Sequence, residues 1–425
     1  MKILLVNDYG GATGGAEIQM LTLRRLLRER GHDARLFSSS AELVTNSPIL
    51  ADYTCYGTTS LAQVVSQTLN LSAYRSLQTA LKEFQPDVVH VRMFLWQLSP
   101  LILPLLKPYP CLYQTAVYKA ICPIGTNSLP NGETCHFSAG TACLKQKCLT
   151  PQSWIWMMAQ RSLLQQWQGT FDRIVALSNG MKQELERAGI SPVSIIHNGV
   201  PERPVRPPLQ SPPTIGYAGR FSAEKGINTL LHAFSQILKQ LPNARLKLAG
   251  KGEQEAALKA LAVELEIEDS ITWLGHLTQV ELEEQFNSIW VQTVPSLWAE
   301  PFGNVTTEAM MRGSAVVVSN VGAQPEIIGE SKSGKLVPPG DSHALAAALL
   351  PILKSRAIAE EMGIAGRQRA IAHFSEAQCV ENFITLYEGL SQTPEAEDSK
   401  ILHSSASDSK ARAPYLLCAP HTKHS

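Results

Sequence analysis

Residues 300–308 of this 425-residue chain read Glu-Pro-Phe-Gly-Asn-Val-Thr-Thr-Glu. Their two carboxylates, Glu300 and Glu308, are groups that accept hydrogen bonds from sugar hydroxyls. Pro301 disfavours helical geometry at Glu300, while Gly303 and Asn304 read as a helix start, which places Glu300 in a loop and Glu308 in the opening turns of a helix. The free N–H groups and partial positive charge of such a start suit a phosphate. A lone pair of glutamates is more often solvated surface, but this one is embedded in an apolar, glycine-containing turn. A second cluster, Gly219-Arg220-Phe-Ser-Ala-Glu-Lys225-Gly226, puts a fork of guanidinium donors and one ammonium into a short loop. Together they can clamp a diphosphate, whereas an isolated basic pair defaults to a solvated one. In the third, Gly10-Gly-Ala-Thr-Gly-Gly-Ala-Glu17, glycines such as Gly14 and Gly15 allow close backbone approach to an anion at a helix start. Its spacing is not G-x-G-x-x-G, and the next strand ends in Ser38-Ser39-Ser40 with no carboxylate for a ribose, which argues against a nicotinamide-dinucleotide fold. A purely structural turn stays open as the alternative.

Short apolar runs must position these loops. Ile3 to Val6, Arg35 to Ser38, Val88 to Val91, Cys111 to Thr115 and Arg173 to Ala176 are strand candidates separated by helical patterns. After a proline-rich stretch the rhythm restarts at Thr214 to Tyr217, Ala244 to Leu248, Ile271 to Trp273, Val291 to Pro295 and Ala315 to Ser319. Such alternation predicts an α/β protein of two doubly wound parallel halves facing across a cleft. The expected divisions are 1–200, a linker over 201–213, a second half over 214–374, a last helix over 375–390 and a disordered tail over 391–425. Ser375 and Gln378 form a capping-box pattern at the start of that last helix. Ligands of open sheets sit beyond the carboxyl ends of the strands, where all three loops fall.

Composition removes several function classes. Lys plus Arg total 37 and Asp plus Glu total 37, so the net charge is zero and the field that non-specific nucleic-acid binding needs is missing. Charged residues make up 17% of the chain, below the usual value of about 25%. The first apolar run is too short for a signal peptide, and the stretch Leu101 to Leu106 is broken by Pro104 and followed by Lys107 and Pro108. The expectation is a cytoplasmic protein without a transmembrane helix.

Four of the eight cysteines, Cys122, Cys135, Cys143 and Cys148, fall in a 122–148 insertion beside His136. Four thiolates in one loop are a ligand set for a structural zinc, although the spacing lacks a Cys-x-x-Cys pair. Redox-sensitive or simply packed cysteines remain open. After the insertion, Trp154, Trp156, Met157, Met158, Leu163, Leu164 and Trp167 form an apolar helical stretch. It either lies on the inner face of a membrane as a peripheral contact or packs on the adjacent sheet; with Arg161 as the lone charge and no basic face, packing is expected.

Taken together, Glu300, Glu308 and the intervening Pro-Phe-Gly, Arg220 with Lys225, Gly14-Gly15-Ala16-Glu17, His197-Asn198-Gly199-Val200 and Gly250-Lys-Gly252 resemble family 4 retaining glycosyltransferases. The likeness extends over nearly all of residues 1 to 390. It implies the GT-B fold of two Rossmann-like domains, an acceptor entering the first and a nucleoside diphosphate sugar held by the second. Carried onto this chain, Arg220 and Lys225 hold the diphosphate, Glu308 binds ribose hydroxyls, and Glu300 with the backbone of Phe302, Gly303 and Asn304 contacts the donor sugar. Leu274 and Gly275 lie near the base, and the Gly14-Gly15 loop closes over the phosphates. Glu300, Arg220 and Lys225 are thereby the catalytic candidates of a hexosyltransferase-type enzyme, with a glycan, lipid-linked or small-molecule acceptor and polysaccharide or cell-envelope assembly as the setting. No Asp-x-Asp occurs in the sequence, and basic residues with a helix dipole can do the electrostatic work of a metal, so no cofactor is required for catalysis. One departure stands out: Ala116 and Val117 occupy the place where related enzymes carry His-Asp before Cys122-Pro123. Gln114, Thr115 or Tyr118 compensates, or the chain is a catalytically impaired nucleotide-sugar-binding protein.

Overall fold

A computed structural model describes residues 1–12, 14–42, 48–60, 62–130, 132, 134–329 and 332–392. The expected tail lies outside the described residues from 393 onward. Among the described residues, seven strands form the first sheet: β1 (Lys2–Tyr9), β2 (Asp33–Ser39), β3 (Tyr53–Cys55), β4 (Val88–Val91), β5 (Cys111–Gln114), β6 (Arg173–Ala176) and β7 (Val193–Ile195), in the order β3-β2-β1-β4-β5-β6-β7. Six form the second: β8 (Thr214–Ala218), β9 (Arg245–Ala249), β10 (Ile271–Gly275), β11 (Val291–Val294), β12 (Ala315–Ser319) and β13 (Lys335–Val337), in the order β10-β9-β8-β11-β12-β13. Neighbouring strands pair in parallel, for example Val6 opposite Val91 and Thr293 opposite Val317. The central strands read as near-continuous apolar runs because helices cover both faces, and β12, Ala-Val-Val-Val-Ser, is buried along its length.

The strand order reverses between β1 and β4 in the first sheet and between β8 and β11 in the second. Crevices open at such points. The glycine loop follows β1, the Arg220–Lys225 loop follows β8, and the Glu300 loop follows β11, so three short sequence clusters occupy three of the four switch-point positions. β3, β7 and β13 were not among the expected strands. Each is three residues long and lies at a sheet edge, too short for an alternating or continuous apolar signal.

Residues 201–213 carry no helix or strand. The last helix, Glu376–Ser391, runs one residue past its expected end and packs against the first sheet rather than the second. Its Val380, Phe383, Tyr387 and Leu390 share a core with Ile3, Leu5, Val88, Leu112 and Val175. The chain therefore crosses between halves twice, at Val200 and at Ser375, and the crossings pair: Val200 N–H donates to the Phe374 carbonyl at 2.8 Å and Glu376 N–H to the Val200 carbonyl at 3.1 Å. Gly199 permits this approach, since a Cβ there would lie 2.7 Å from the Glu376 Cα. Half of the expected capping box forms. Gln378 N–H donates to Ser375 Oγ, while the Gln378 side chain turns instead to Asn382.

The helix Pro151–Trp167 buries Met157, Gln160 and Leu164 and leaves Ile155 exposed, Gln160 Nε2 donates to the Gln67 and Leu95 carbonyls, and Trp154 Nε1 donates to the Gly140 carbonyl at 2.8 Å. Among the described residues no helix is long and apolar enough to cross a membrane.

Candidate functional site

The loop after β11 carries Glu300 into the space between the two halves. The residue is 7% exposed, and its Oε1 accepts from Lys225 Nζ and from Ser296 Oγ, both at 2.6 Å. Burial alone would raise this carboxyl, but the Lys225 charge and these hydrogen bonds outweigh it and hold Glu300 below the ordinary glutamate range, ionised at neutral pH. Backbone packing fixes the arrangement. Gly226 (φ 68°) allows the turn after Lys225 to lie on the Pro295 carbonyl, where a Cβ would overlap it, and Leu297 N–H donates to the Glu224 carbonyl at 2.8 Å. Gly322 (φ 60°) lets a third loop close on Glu300, leaving room for no side chain there.

The helix Asn304–Arg312 begins at Gly303, whose φ of 109° needs glycine. The Phe302 ring turns away into the core, 5.8 Å from the rings of His197 and Phe374, so only its backbone faces the cleft. One turn into the helix, Glu308 has no hydrogen bond or ion pair among the described residues. Burial raises its carboxyl to about 7, with Arg312 and Arg203 opposing and Glu283 reinforcing the shift. The two carboxylates thus differ: Glu300 is a paired anion and Glu308 a partly protonated acid awaiting partners.

Arg220 behaves unlike Lys225. Its side chain is 69% exposed and comes no nearer than 4.0 Å to Glu224. The loops after β8 and β9 are stitched together by Gly219 N–H to the Ala249 carbonyl and Phe221 N–H to the Lys251 carbonyl, so Gly250-Lys251-Gly252 supports the Arg220 loop. Gly275 (φ 68°) ends β10 and accepts from Gly250 N–H at 2.7 Å, placing Leu274 and Gly275 on the same rim.

From the first half, the glycine turn meets this wall. A Cβ on Gly15 would lie 3.4 Å from Asn304 Nδ2, and one on Gly14 would lie 2.5 Å from Glu17 Oε2. The structure thus brings Lys225, Glu300, Gly303 and Asn304 together with Gly14 and Gly15 across the cleft, and leaves Arg220 at its mouth. Several contacts between the halves run through Ser178, Asn179 and Glu326, which the sequence did not point to, and one of them reaches His197, which it did. Ser178 Oγ donates to the Pro301 carbonyl at 2.8 Å, and Glu326 accepts from Asn179 N–H, Asn179 Nδ2 and His197 Nε2 at 2.6, 2.8 and 2.7 Å. Their one local signal is the Ser178 helix cap and the Gly322-Ala323-Gln324-Pro325-Glu326 turn.

Beyond β5, where Ala116 and Val117 stand, Gln114 and Thr115 are engaged internally. Gln114 Oε1 accepts from Arg92 at 2.8 Å, and Thr115 Oγ1 donates to the Val175 carbonyl at 3.0 Å. The Tyr118 hydroxyl is fully buried without a hydrogen-bond partner. Cys122, Cys135, Cys143 and Cys148 are free, partly exposed thiols. Among the described residues no three His, Cys, Asp or Glu side chains are gathered to hold a metal ion, so the expected zinc ligands are not assembled.

Comparison with known proteins gives two families. Residues 13–203 match Glycosyltransferase Family 4, and residues 202–369 match Glycosyl transferases group 1. The chain is 29% identical over 210 residues to a glycogen synthase of Mycobacterium tuberculosis, 48% of this chain and 50% of that one, so it spans about half the length of that relative. It is 26% identical over 399 residues to a phosphatidyl-myo-inositol mannosyltransferase of Mycobacterium leprae, 91% of this chain and 96% of the other. Among solved structures, sucrose-phosphate synthase from Thermosynechococcus elongatus superposes with a TM-score of 0.68 at 21% identity, covering 92% of this chain and 99% of that one. HepE of Anabaena in complex with UDP superposes at 0.65 and 17% identity, covering 92% and 100%. These likenesses show the two-sheet GT-B fold.

Proposed function

We propose, from the premise that the chain belongs to the glycosyltransferases through the family 4 and group 1 matches of its two halves, that it transfers a glycosyl group from a nucleoside diphosphate sugar to a hydroxyl of a glycan, lipid-linked or small-molecule acceptor. The observation that carries this reading is the Lys225–Glu300 pair at 2.6 Å beside the free start of the Asn304 helix. An ammonium and helix amides stabilise the charge that collects on a departing phosphate. The likeness to a glycogen synthase, to a mannosyltransferase and to HepE with its bound UDP supports the donor class.

In this reading the bond between the anomeric carbon and the β-phosphate oxygen breaks and one to the acceptor oxygen forms, with the acceptor proton passing to the departing diphosphate. Glu300, already ionised, accepts from donor-sugar hydroxyls through Oε2, its Oε1 being occupied by Lys225 and Ser296. Glu308 accepts from the ribose, and Arg220 swings in from the cleft mouth to the diphosphate. Closure of the halves about Val200 and Ser375 excludes water that would hydrolyse the donor. The reading includes retention of configuration, for which the likeness to family 4 is the support.

Calorimetry of the purified protein against nucleoside diphosphates and their glucose and mannose conjugates tests the reading, followed by donor turnover on whichever binds. Binding with slow hydrolysis supports it and names the donor. Binding without any turnover, with acceptor supplied, identifies the impaired alternative, and no binding across the panel overturns the site assignment.

A further inference from the structure

Behind the glycine turn a buried chain of polar side chains links three distant parts of the sequence. The Tyr387 hydroxyl meets His90 Nδ1 at 2.7 Å, and His90 Nε2 meets Gln114 Oε1 at 3.2 Å. Arg92 donates through its two terminal nitrogens, to Gln114 Oε1 at 2.8 Å and to Asn198 Oδ1 at 3.1 Å. Asn198 Nδ2 then donates to Asn304 Oδ1 at 3.0 Å. Amide orientations are ambiguous when amides bond only to one another. Here they are not, because a guanidinium has donors and no acceptor. Burial lowers Arg92 only to about 10, so it stays protonated at neutral pH. Arg92 therefore obliges Asn198 to turn its oxygen inward and its nitrogen toward Asn304. Asn304 must then offer its oxygen to Asn198, and its own Nδ2 is left beside Gly15 with no protein acceptor among the described residues.

We propose that Arg92 and Asn198 are positioning residues that fix the polarity of the Asn304 side chain, so that Asn304 Nδ2 is presented as a hydrogen-bond donor to an oxygen of the bound nucleoside diphosphate sugar. The inference rests on the donor site proposed above. Without Arg92 the two amides exchange the same single hydrogen bond in either sense, and half of the molecules present an oxygen to the ligand instead.

Asn198→Asp tests this with almost no change in shape. The introduced carboxylate accepts from Arg92 as a closer charge pair, cannot donate to Asn304, and forces Asn304 to turn its nitrogen inward and its oxygen to the cleft. The expected result is a tenfold or greater loss of affinity for the nucleoside diphosphate sugar that the wild type binds, with melting temperature unchanged or raised. A merely structural role predicts the opposite pairing. Asn304→Ala should lose a similar factor, and adding Asn198→Asp to it should cost little more. Arg92→Gln, which can itself flip, should weaken binding about twofold, the consequence of halving the competent population.

Wild-type affinity in Asn304→Ala overturns the inference alone, and does so even if Asn198→Asp fails to fold. A full further loss on adding Asn198→Asp to Asn304→Ala assigns the effect to added negative charge and overturns it as well. Failure of the wild type to bind any of the panel counts against the donor site itself.

Discussion

On the second-half wall of the cleft, Glu300 is satisfied by charge, with Lys225 and Ser296 each 2.6 Å from one oxygen in a frame of glycine-permitted backbone contacts. On the facing wall Arg92 is just as buried, yet its hydrogen bonds go to neutral amides, and Arg92 Nε, Gln114 Nε2 and the Tyr118 hydroxyl have no partner at all. Buried polar groups without partners cost free energy. The central pair of one wall is thus satisfied before a substrate arrives, although Trp298 Nε1 and Gln324 Nε2 near it are buried without partners among the described residues, while on the other wall the central guanidinium itself keeps an unspent donor. In the proposed reading the difference teaches a division of work: the second half would supply charge stabilisation, and the first direction and polarity.

The most severe break of that comparison is Lys225→Met. It removes the cation from the second-half wall and leaves Glu300 a buried carboxylate without its charge partner. Turnover should fall by roughly a hundredfold to a thousandfold, the loss seen when one preorganised stabilising group is removed from an active site. Steady-state kinetics with saturating donor measure it. A variant within threefold of wild type would place the charge stabilisation elsewhere.

How far each wall was legible in the sequence follows the same division. Pro301, Gly303 and the Gly219–Gly226 loop announce themselves, because local backbone geometry demands those residue types within a few positions. The facing wall is assembled from ordinary residues: His90 and Tyr387 are 297 positions apart, and Arg92 and Asn198 106 apart. No local propensity marks such partners, so only the fold reveals them. The fold class was legible from the repeated apolar runs, whereas three-residue β3, β7 and β13 and the return of the last helix to the first sheet depend on tertiary pairing. His197-Asn198-Gly199 was noticed for its likeness, and its physical roles emerged only with Glu326, Asn304 and the Glu376 backbone in place.

His90→Phe sharpens the comparison by unpairing the polar wall. It leaves the Tyr387 hydroxyl without its partner and should cost about 1–3 kcal/mol at neutral pH in urea titrations. Burial, reinforced by Arg92, lowers the His90 pKa from 6.5 to about 3. A depressed histidine contributes stability that is fully present above the unfolded value and is lost as pH falls from about 6.5 toward 3. The wild-type advantage over the variant should therefore shrink on acidification by up to about 1.4 kcal/mol per pH unit. A constant gap between pH 7 and pH 4 would detach the wall from this ionisation.

Glu308 is a further unpartnered group on the second-half wall, an acid raised to about 7 by burial with no hydrogen bond of its own among the described residues. Its raised value means the protonated form is favoured by folding, so its stabilising contribution is present in acid and fades as pH rises from the ordinary glutamate range through 7. Binding runs the other way if the carboxylate accepts from ribose hydroxyls. Affinity for the nucleotide should rise about threefold to tenfold between pH 6 and pH 8, and Glu308→Gln should flatten the profile. A wild-type affinity independent of pH would remove Glu308 from the ribose.

Arg220→Ala should change least in the free protein. Its side chain is 69% exposed and reaches Glu224 only at 4.0 Å, so the pair contributes little and unfolding stability should stay within about 0.5 kcal/mol of wild type. Any loss should appear in turnover rather than in ground-state affinity, because a guanidinium that approaches only as negative charge develops acts on the transition state. Equal losses in donor affinity and in kcat/KM, with kcat unchanged, would show instead that Arg220 already grips the ground-state diphosphate, and the second-half wall would then be incomplete until its ligand arrives, as the first-half wall is.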